Sequence, residues 1–277
     1  MNDHIKRWMT TEGTFRILVA QSTALVAEAT ARAASSPAVT ELFGRLLTGT
    51  ALMQLAQSPI DRVQCAIDHD GSAGQLLADV WPGPSVRGRV ETPCPTSEPI
   101  LGPACTIHVS RQPCRGGGLF ESVVPISGGS IGAALQQFVM ESEQVLTFIS
   151  LVTVLTDEGE VERAGGVFVQ ALPGMEREHL QAVTGCLEKA GFDDLVRAGD
   201  SPFDAAHSLF HTLGLHETGT DPLVYQCRCS KEAAVNAVGM LSKDELEALR
   251  RDGGSEVVRC EFCGTVYDVV AADLPDA

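Results

Sequence analysis

Four cysteines near the C-terminus combine a residue type and a spacing that can do chemistry. Cys227 and Cys229 form a C-x-C pair, and thirty residues later Cys260 and Cys263 form a C-x-x-C pair. Each pair can direct two thiolates at one small ion. Zn²⁺ prefers four soft ligands in a tetrahedron, and four cysteines are a frequent closed structural solution. The spacing therefore predicts that these four side chains bind one zinc ion.

The residues around the two pairs predict a small domain that depends on its metal. Ser230 can cap a helix over SKEAAVNAVGML, and Ser242 with Glu245 has capping-box spacing at the start of a second helix. SEVVR and TVYDVV predict a hairpin on either side of the second cysteine pair, with Gly264 allowing the turn. Such a segment has little core, so the metal must supply much of its folding free energy, about 10–16 kcal/mol in zinc peptides.

Other uses of the thiols remain open at this point. A thioredoxin-type motif is disfavoured because no βαβ pattern surrounds the second pair and the first pair is C-x-C. Four reduced, unconnected thiols are a further alternative. Metal-bound thiolates can also be oxidised to disulfides, which would release the ion and unfold the domain. The spacing is therefore compatible with both an inert zinc clip and a redox switch.

The composition and the net charge limit the classes of function that this chain can have. The chain has 277 residues, 44% of them hydrophobic, and a formal net charge of −16, which disfavours nucleic-acid binding. The N-terminal residues lack a signal-peptide pattern, and the apolar stretch 46–60 is too short and polar to span a bilayer. We therefore expect a cytoplasmic protein that binds neither nucleic acid nor membrane, in a compartment that keeps thiols reduced.

The first 174 residues predict an α+β domain. Apolar residues at helical spacing predict a helix over 36–57, with Pro37 in its first turn, and a second helix beginning near Ser130. Period-two runs such as RVQCAID, GQLLADVW and CTIHVSR predict strands. We expect one mostly antiparallel sheet with helices packed on it.

Two further segments complete the predicted organisation. Residues 175–222 predict a linker of short helices with thin apolar faces, followed by a loop at HETGTDPL. His207 and His211 lie four residues apart there, but Ser208 stands where a metalloprotease motif needs glutamate, so an ordinary helix is expected. Residues 223–277 form the predicted zinc-binding domain.

The chain resembles a known family, the heat-shock-protein-33 redox-regulated holdase chaperones. In the C-terminal part the resemblance rests on CRCSKEAAVNAVGMLSKDELEAL and DGGSEVVRCEFCGTVYDV. In the N-terminal part it rests on FRILVAQSTALVAEA, SSPAVTELFGRLLTGTALMQ, ESVVPISGGSIGAALQQFVMESEQVLTFISL and AGGVFVQALPG. It runs across most of the chain, and the cysteine pattern is its most specific part.

The resemblance implies a complete mechanism. It implies zinc ligation by Cys227, Cys229, Cys260 and Cys263. It implies that oxidation releases zinc and forms the disulfides Cys227–Cys229 and Cys260–Cys263. It also implies unfolding of the 175–222 linker, capture of unfolding client proteins on exposed apolar surface, and dimerisation of the oxidised form.

Function hypotheses from three classes follow. The favoured one is an ATP-independent, redox-regulated holdase of the stress response, which catalyses no reaction. The alternatives are a constitutive zinc-ribbon interaction module without redox switching, and a thiol oxidoreductase that uses Cys260 and Cys263. Residues 90–118 depart from the family pattern. The remaining cysteines are expected to be ordinary buried or loop thiols: Cys65, Cys94, Cys105, Cys114 and Cys186.

Overall fold

The fold is mixed α and β, as predicted. A computed structural model describes residues 2–102, 104–125, 130–251 and 254–274. The chain divides into two compact units, Met1–Tyr225 and Gln226–Ala277. The first unit has two buried apolar clusters and the second unit has one, and each unit is described separately below.

Two sheets make up the β part of the first unit. Within its described residues the strands are β1 (His4–Thr10), β2 (Phe15–Gln21), β3 (Asp61–His69), β4 (Leu76–Trp81), β5 (Ser85–Val90), β6 (Cys105–Pro113), β7 (Phe120–Pro125), β8 (Thr147–Leu155), β9 (Val161–Ala171), β10 (Leu215–Pro222) and β11 (Val224–Tyr225). The first sheet has the order β10-β1-β2-β9-β8, and the second has the order β11-β5-β4-β3-β6-β7. All pairings are antiparallel except that of β11 with β5.

Three helices separate the two sheets. The helices of the unit are α1 (Thr23–Ala33), α2 (Pro37–Gln57), α3 (Ile131–Ser142), α4 (Arg177–Lys189), α5 (Phe192–Ala198) and α6 (Pro202–Phe210). α2 contacts β8 and β9 of the first sheet and β3 and β4 of the second, while α1 and α3 lie beside it. The prediction of a single sheet is therefore wrong. The strands form two sheets because a buried layer of helices lies between them.

The predicted helix over 36–57 is confirmed and forms the centre of this layer. Pro37 occupies its first turn, where a missing N–H has no cost. A Cβ at Gly49 would lie 2.5 Å from Leu135 Cδ1 of α3 and 2.8 Å from Leu151 Cδ1 of β8. Glycine therefore lets the three elements approach closely.

The central strands β2 and β9 of the first sheet are buried on both faces. In β2, Leu18 and Ala20 belong to the cluster that packs on α2, whereas Ile17 and Val19 belong to a second cluster on the opposite face. Because successive side chains point to opposite faces, a strand covered on both sides shows no polar alternation. The apolar run FRILVAQ fits such a strand.

Helices α4, α5 and α6 cover that second face of the first sheet. They contribute buried apolar side chains to the same cluster as the sheet residues, and the buried members of this outer cluster are Trp8, Phe15, Ile17, Val19, Val152, Val167, Val169, Val183, Cys186, Phe192, Val196, Ala205, Ala206, Leu209 and Phe210. The segment predicted as a helical linker is thus helical, and its thin apolar faces pack on the sheet.

The loop predicted at HETGTDPL is wrong. All of these residues except Leu223 lie in β10, which pairs with β1 from His4 opposite Pro222 to Thr10 opposite Leu215. Most side chains of β10 are exposed, so the sequence carries no alternation there. Main-chain pairing at the sheet edge supports the strand instead, together with an ion pair between Arg7 Nε and Asp221 Oδ2 at 2.8 Å.

Candidate metal centre

The second unit is small and follows the predicted order of elements. Its described elements are α7 (Lys231–Val238), α8 (Lys243–Arg251), β12 (Ser255–Arg259) and β13 (Val266–Val270), with the two strands paired antiparallel. The predicted caps are present. Ser230 Oγ accepts the Ala233 N–H at 3.1 Å, and Ser242 and Glu245 exchange backbone-to-side-chain hydrogen bonds.

The buried core of this unit is slight. Its buried apolar members are Ala234, Val238, Val269 and Leu274. Helix α8 has no buried residue at all within its range. So small an apolar cluster cannot by itself offset the conformational entropy of about fifty ordered residues.

The hairpin between β12 and β13 positions one cysteine pair. Cys260 N donates to Thr265 O at 2.9 Å, and Gly264 N donates to Cys260 O at 2.8 Å. Gly264 has a φ of +72°, which an L-residue with a side chain rarely adopts. The turn therefore folds tightly and presents Cys260 and Cys263 on one side.

The other pair lies just before α7 and completes the cluster. The Sγ atoms of Cys227, Cys229, Cys260 and Cys263 all lie within 4.8 Å of one another. Cys227 Sγ is 3.6 Å from Cys260 Sγ, and Cys229 Sγ is 3.4 Å from Cys263 Sγ.

These distances match the needs of a zinc ion. Tetrahedral coordination at a Zn–S distance of about 2.3 Å separates the sulfur atoms by roughly 3.8 Å. Four sulfur ligands also suit zinc better than the hard cations, which prefer oxygen. The four cysteines could therefore hold one metal ion, and their chemistry fits zinc.

The electrostatics show why such a cluster needs a cation. Burial raises the pKa of the Cys227 thiol to about 12, and burial also raises the pKa of Cys260. Burial works against ionisation of Cys263 as well, but hydrogen bonds from the Thr265 hydroxyl and N–H and from neighbouring thiols lower its pKa to about 6. Without a metal, ionisation of Cys263 is thus favoured while Cys227 and Cys260 keep their protons, whereas a dication would stabilise several thiolates at once.

Two neighbouring residues were missed by the sequence reasoning. The Tyr267 hydroxyl donates to Cys229 Sγ at 3.1 Å, and this bond raises the pKa of the tyrosine to about 12. Thr265 Oγ1 lies 3.1 Å from Cys263 Sγ. Both residues follow the C-x-x-C pair in CGTVYD, so their proximity to the pair was the available signal. Such outer hydrogen bonds orient metal ligands.

Comparison with known proteins places the chain in a family. A family model described as Hsp33 protein matches residues 3–270. The chain belongs to the Hsp33 family. It is 32% identical over 286 residues to a 33 kDa chaperonin from Thermus thermophilus, with 95% of this chain and 83% of the relative covered. It is 29% identical over 293 residues to a 33 kDa chaperonin from Syntrophotalea carbinolica, covering 99% of this chain and 98% of the relative.

The fold agrees with a solved Hsp33 structure. The crystal structure of the 33 kDa chaperonin (heat shock protein 33 homolog) from Thermotoga maritima superimposes with a TM-score of 0.85 at 24% identity, over 99% of this chain and 96% of that one. The family match and the names of the relatives make this chain an Hsp33-family chaperone. That it catalyses no reaction stays a prediction.

The remaining cysteines of this Hsp33 family member lie outside the cluster. Cys65, Cys105 and Cys186 are buried, whereas Cys94 and Cys114 are exposed. Burial raises the pKa of Cys65 to about 12. The expectation of ordinary buried or loop thiols fits these positions.

The histidine pair of the linker does not form a comparable site. The rings of His207 and His211 stack with centroids 6.0 Å apart on α6 and the turn after it. Within the described ranges, the four cysteines are the one group of three or more potential ligands arranged to hold a metal. No described helix of this Hsp33 chain is long and apolar enough to cross a membrane.

Proposed function

We propose that this chaperone is a redox-regulated, ATP-independent holdase that holds one zinc ion when reduced and captures unfolding proteins when oxidised. The observation that carries the proposal is the convergence of four sulfur atoms within 4.8 Å. Cys227, Cys229, Cys260 and Cys263 would be the ligands. Because the unit around them has a slight apolar core, the ion would supply most of its folding free energy.

Oxidation would remove the ligands. Two equivalents of hydrogen peroxide would convert the four thiolates into two disulfides and four hydroxide ions, leaving no thiolate to hold a cation. From the family resemblance we propose the pairs Cys227–Cys229 and Cys260–Cys263. The contacts at 3.6 and 3.4 Å run between the pairs instead, so this pairing requires the sulfur atoms to rearrange as the ion leaves.

The apolar surface for clients would lie under the linker helices. Helices α4–α6 cover apolar side chains on one face of the first sheet, among them Trp8, Phe15 and Val169. If residues 175–222 unfolded, this face and the apolar sides of the helices would both be exposed. An exposed apolar face of this kind binds unfolded chains, which expose apolar side chains of their own.

Chain connectivity supports a link between the two events. β10 ends at Pro222, and four residues separate it from Cys227. The strand holds its place largely through main-chain pairing with β1, and most of its side chains are exposed. After β10 the chain is held by the short pairing of β11 with β5, which ends at Tyr225, two residues before Cys227. We therefore propose that unfolding of the metal-dependent unit weakens this short pairing and so loosens the C-terminal end of the linker.

We propose the following roles for the three segments of the chain and the following cellular setting. Residues 1–174 would bind clients, 175–222 would act as the redox-sensitive linker, and 223–277 would act as the zinc switch. We place the protein in the cytoplasm, acting in the stress response, with unfolded proteins as partners and a homodimer as the oxidised form. The net charge of −16 supports the proposal that nucleic acid is not a partner.

The experiment compares reduced, zinc-loaded protein with peroxide-treated protein in suppressing aggregation of a heat-denatured client. The proposal expects suppression by the oxidised form, reversal by dithiothreitol with added zinc, and no need for ATP. Equal behaviour of the two forms would refute redox control.

A constitutive zinc-ribbon interaction module is the second candidate. Large apolar side chains of the second unit are exposed, with Met240 87%, Val257 66% and Val266 57% accessible, and they could contact a protein partner. This candidate expects zinc to stay bound during mild oxidation, which the proposed switch does not.

A further inference from the structure

A small apolar pocket opens in the first unit, away from the outer cluster under α4–α6. It lies where the C-terminal end of α2 meets α3 and the strands β6 and β7, and its volume is about 200 Å³. Its walls include the apolar side chains of Met53, Val109, Phe120 and Phe138. Pockets for drug-sized ligands span roughly 300–1,000 Å³, so this one fits a smaller molecule.

Arg111 supplies a positive charge at this pocket. Its Nη1 atom donates to Ser58 Oγ at 3.2 Å, and its guanidinium lies 5.1 Å from the centroid of the Phe120 ring. Among the described residues no carboxylate lies within ion-pairing distance of it. Since a guanidinium presents five N–H donors in a planar fork, most of its hydrogen-bonding capacity is left for a ligand.

We infer that the pocket binds a small apolar carboxylate, with its hydrocarbon part between the apolar walls and its carboxylate on Arg111. A bidentate carboxylate is the anion that best matches the planar guanidinium. The inference depends on neither the zinc centre nor the redox switch.

Two sources share this chemistry: a free short-chain fatty acid, and the C-terminal residue of a polypeptide when that residue is apolar. Both present one carboxylate attached to a hydrocarbon group. The test therefore includes an arm for each source.

The test measures binding of sodium hexanoate to the whole chain in its reduced, zinc-loaded form. Isothermal titration calorimetry and saturation-transfer NMR are the two measurements. Hexan-1-ol serves as the uncharged ligand of the same length. We expect hexanoate to bind and hexanol to bind at least tenfold more weakly. Equal binding of the two, or no binding of hexanoate, would overturn the inference.

Three variants locate the binding. Arg111→Gln should weaken hexanoate binding at least tenfold, and Arg111→Lys should retain part of the affinity because it keeps the charge. Arg115→Gln removes the same charge from the exposed turn after β6 and should leave binding unchanged. Circular dichroism verifies that each variant is folded. Equal weakening by Arg115→Gln and Arg111→Gln would show a general charge effect and refute the site.

The peptide arm uses a tripeptide ending in leucine, with a free or an amidated C-terminus. Tighter binding of the free peptide than of hexanoate would support the inference with a polypeptide terminus as the source. Binding of hexanoate alone would support it with a free fatty acid. Equal binding of the free and the amidated peptide would refute carboxylate recognition for the peptide.

Discussion

Replacing Phe192 by alanine should loosen the linker helices without any oxidant. Phe192 is the first residue of α5, is 1% exposed, and packs in the outer cluster between α4–α6 and the first sheet. If client binding requires that these helices leave the sheet, the variant should show chaperone activity while still reduced and zinc-loaded.

The size of the effect follows from the burial. Truncating a fully buried phenylalanine costs about 3–5 kcal/mol through lost transfer free energy and the cavity that remains. At about 1.4 kcal/mol for each factor of ten, the population of the open state of the helices would rise roughly 10²- to 10⁴-fold. The full effect falls on this local opening because the lost contacts are those between the helices and the sheet.

Hydrogen exchange of the amides in 177–210 and suppression of client aggregation are the two measurements. Phe43→Ala is the matched control, because Phe43 is equally buried but lies in α2 between the sheets, in the other cluster. We expect faster exchange in 177–210 and activity in the reduced state for Phe192→Ala but not for Phe43→Ala. A destabilised Phe192→Ala variant that remains inactive until oxidised would refute the role of this surface.

Three further predictions concern thiols. Tyr267→Phe removes the hydrogen bond that the tyrosine hydroxyl donates to Cys229 Sγ, and it should weaken zinc binding about 10- to 100-fold. Competition with a chelator measures the zinc affinity. An unchanged affinity would show that this hydrogen bond does not support the metal site. Zinc affinity should fall as the pH falls, because zinc binding must displace the proton held by Cys227, whose pKa is about 12. The affinity should fall more steeply below about pH 6, where Cys263 also binds a proton. Competition titrations from pH 5 to 8 test this, and an affinity that does not change with pH would contradict it. In the native zinc-loaded protein, a thiol reagent should modify the exposed Cys94 and Cys114 first. Mass spectrometry after digestion measures the extent of modification at each cysteine. Equally fast modification of the buried thiols would contradict the structure.

The cysteine cluster and the local elements beside it could be predicted from sequence because their determinants are local. Ser230 and the residues after it specify a cap and a helix within one turn. A C-x-x-C pair followed by glycine specifies a tight turn. The approach of the two pairs is not local, but metal chemistry gives a reason to expect it.

The missed features depend on partners distant in sequence. β10 has exposed polar side chains, and its identity as a strand comes from pairing with β1, about 210 residues earlier in the chain. The separation into two sheets depends on α2 being covered on both sides, which its apolar composition permits but does not require. The hydrogen bond from Tyr267 to Cys229 spans 38 residues, so the spacing of the cysteines gave no hint of it.

The most direct test of the central claim follows zinc, thiols and activity in the same samples. Freshly purified, reduced protein is titrated with hydrogen peroxide while released zinc, free thiols and suppression of client aggregation are measured. The account predicts one zinc per chain at the start, and loss of zinc and of four thiols in parallel with the gain of activity. Reduced protein without stoichiometric metal, or activity that appears while zinc stays bound, would contradict it.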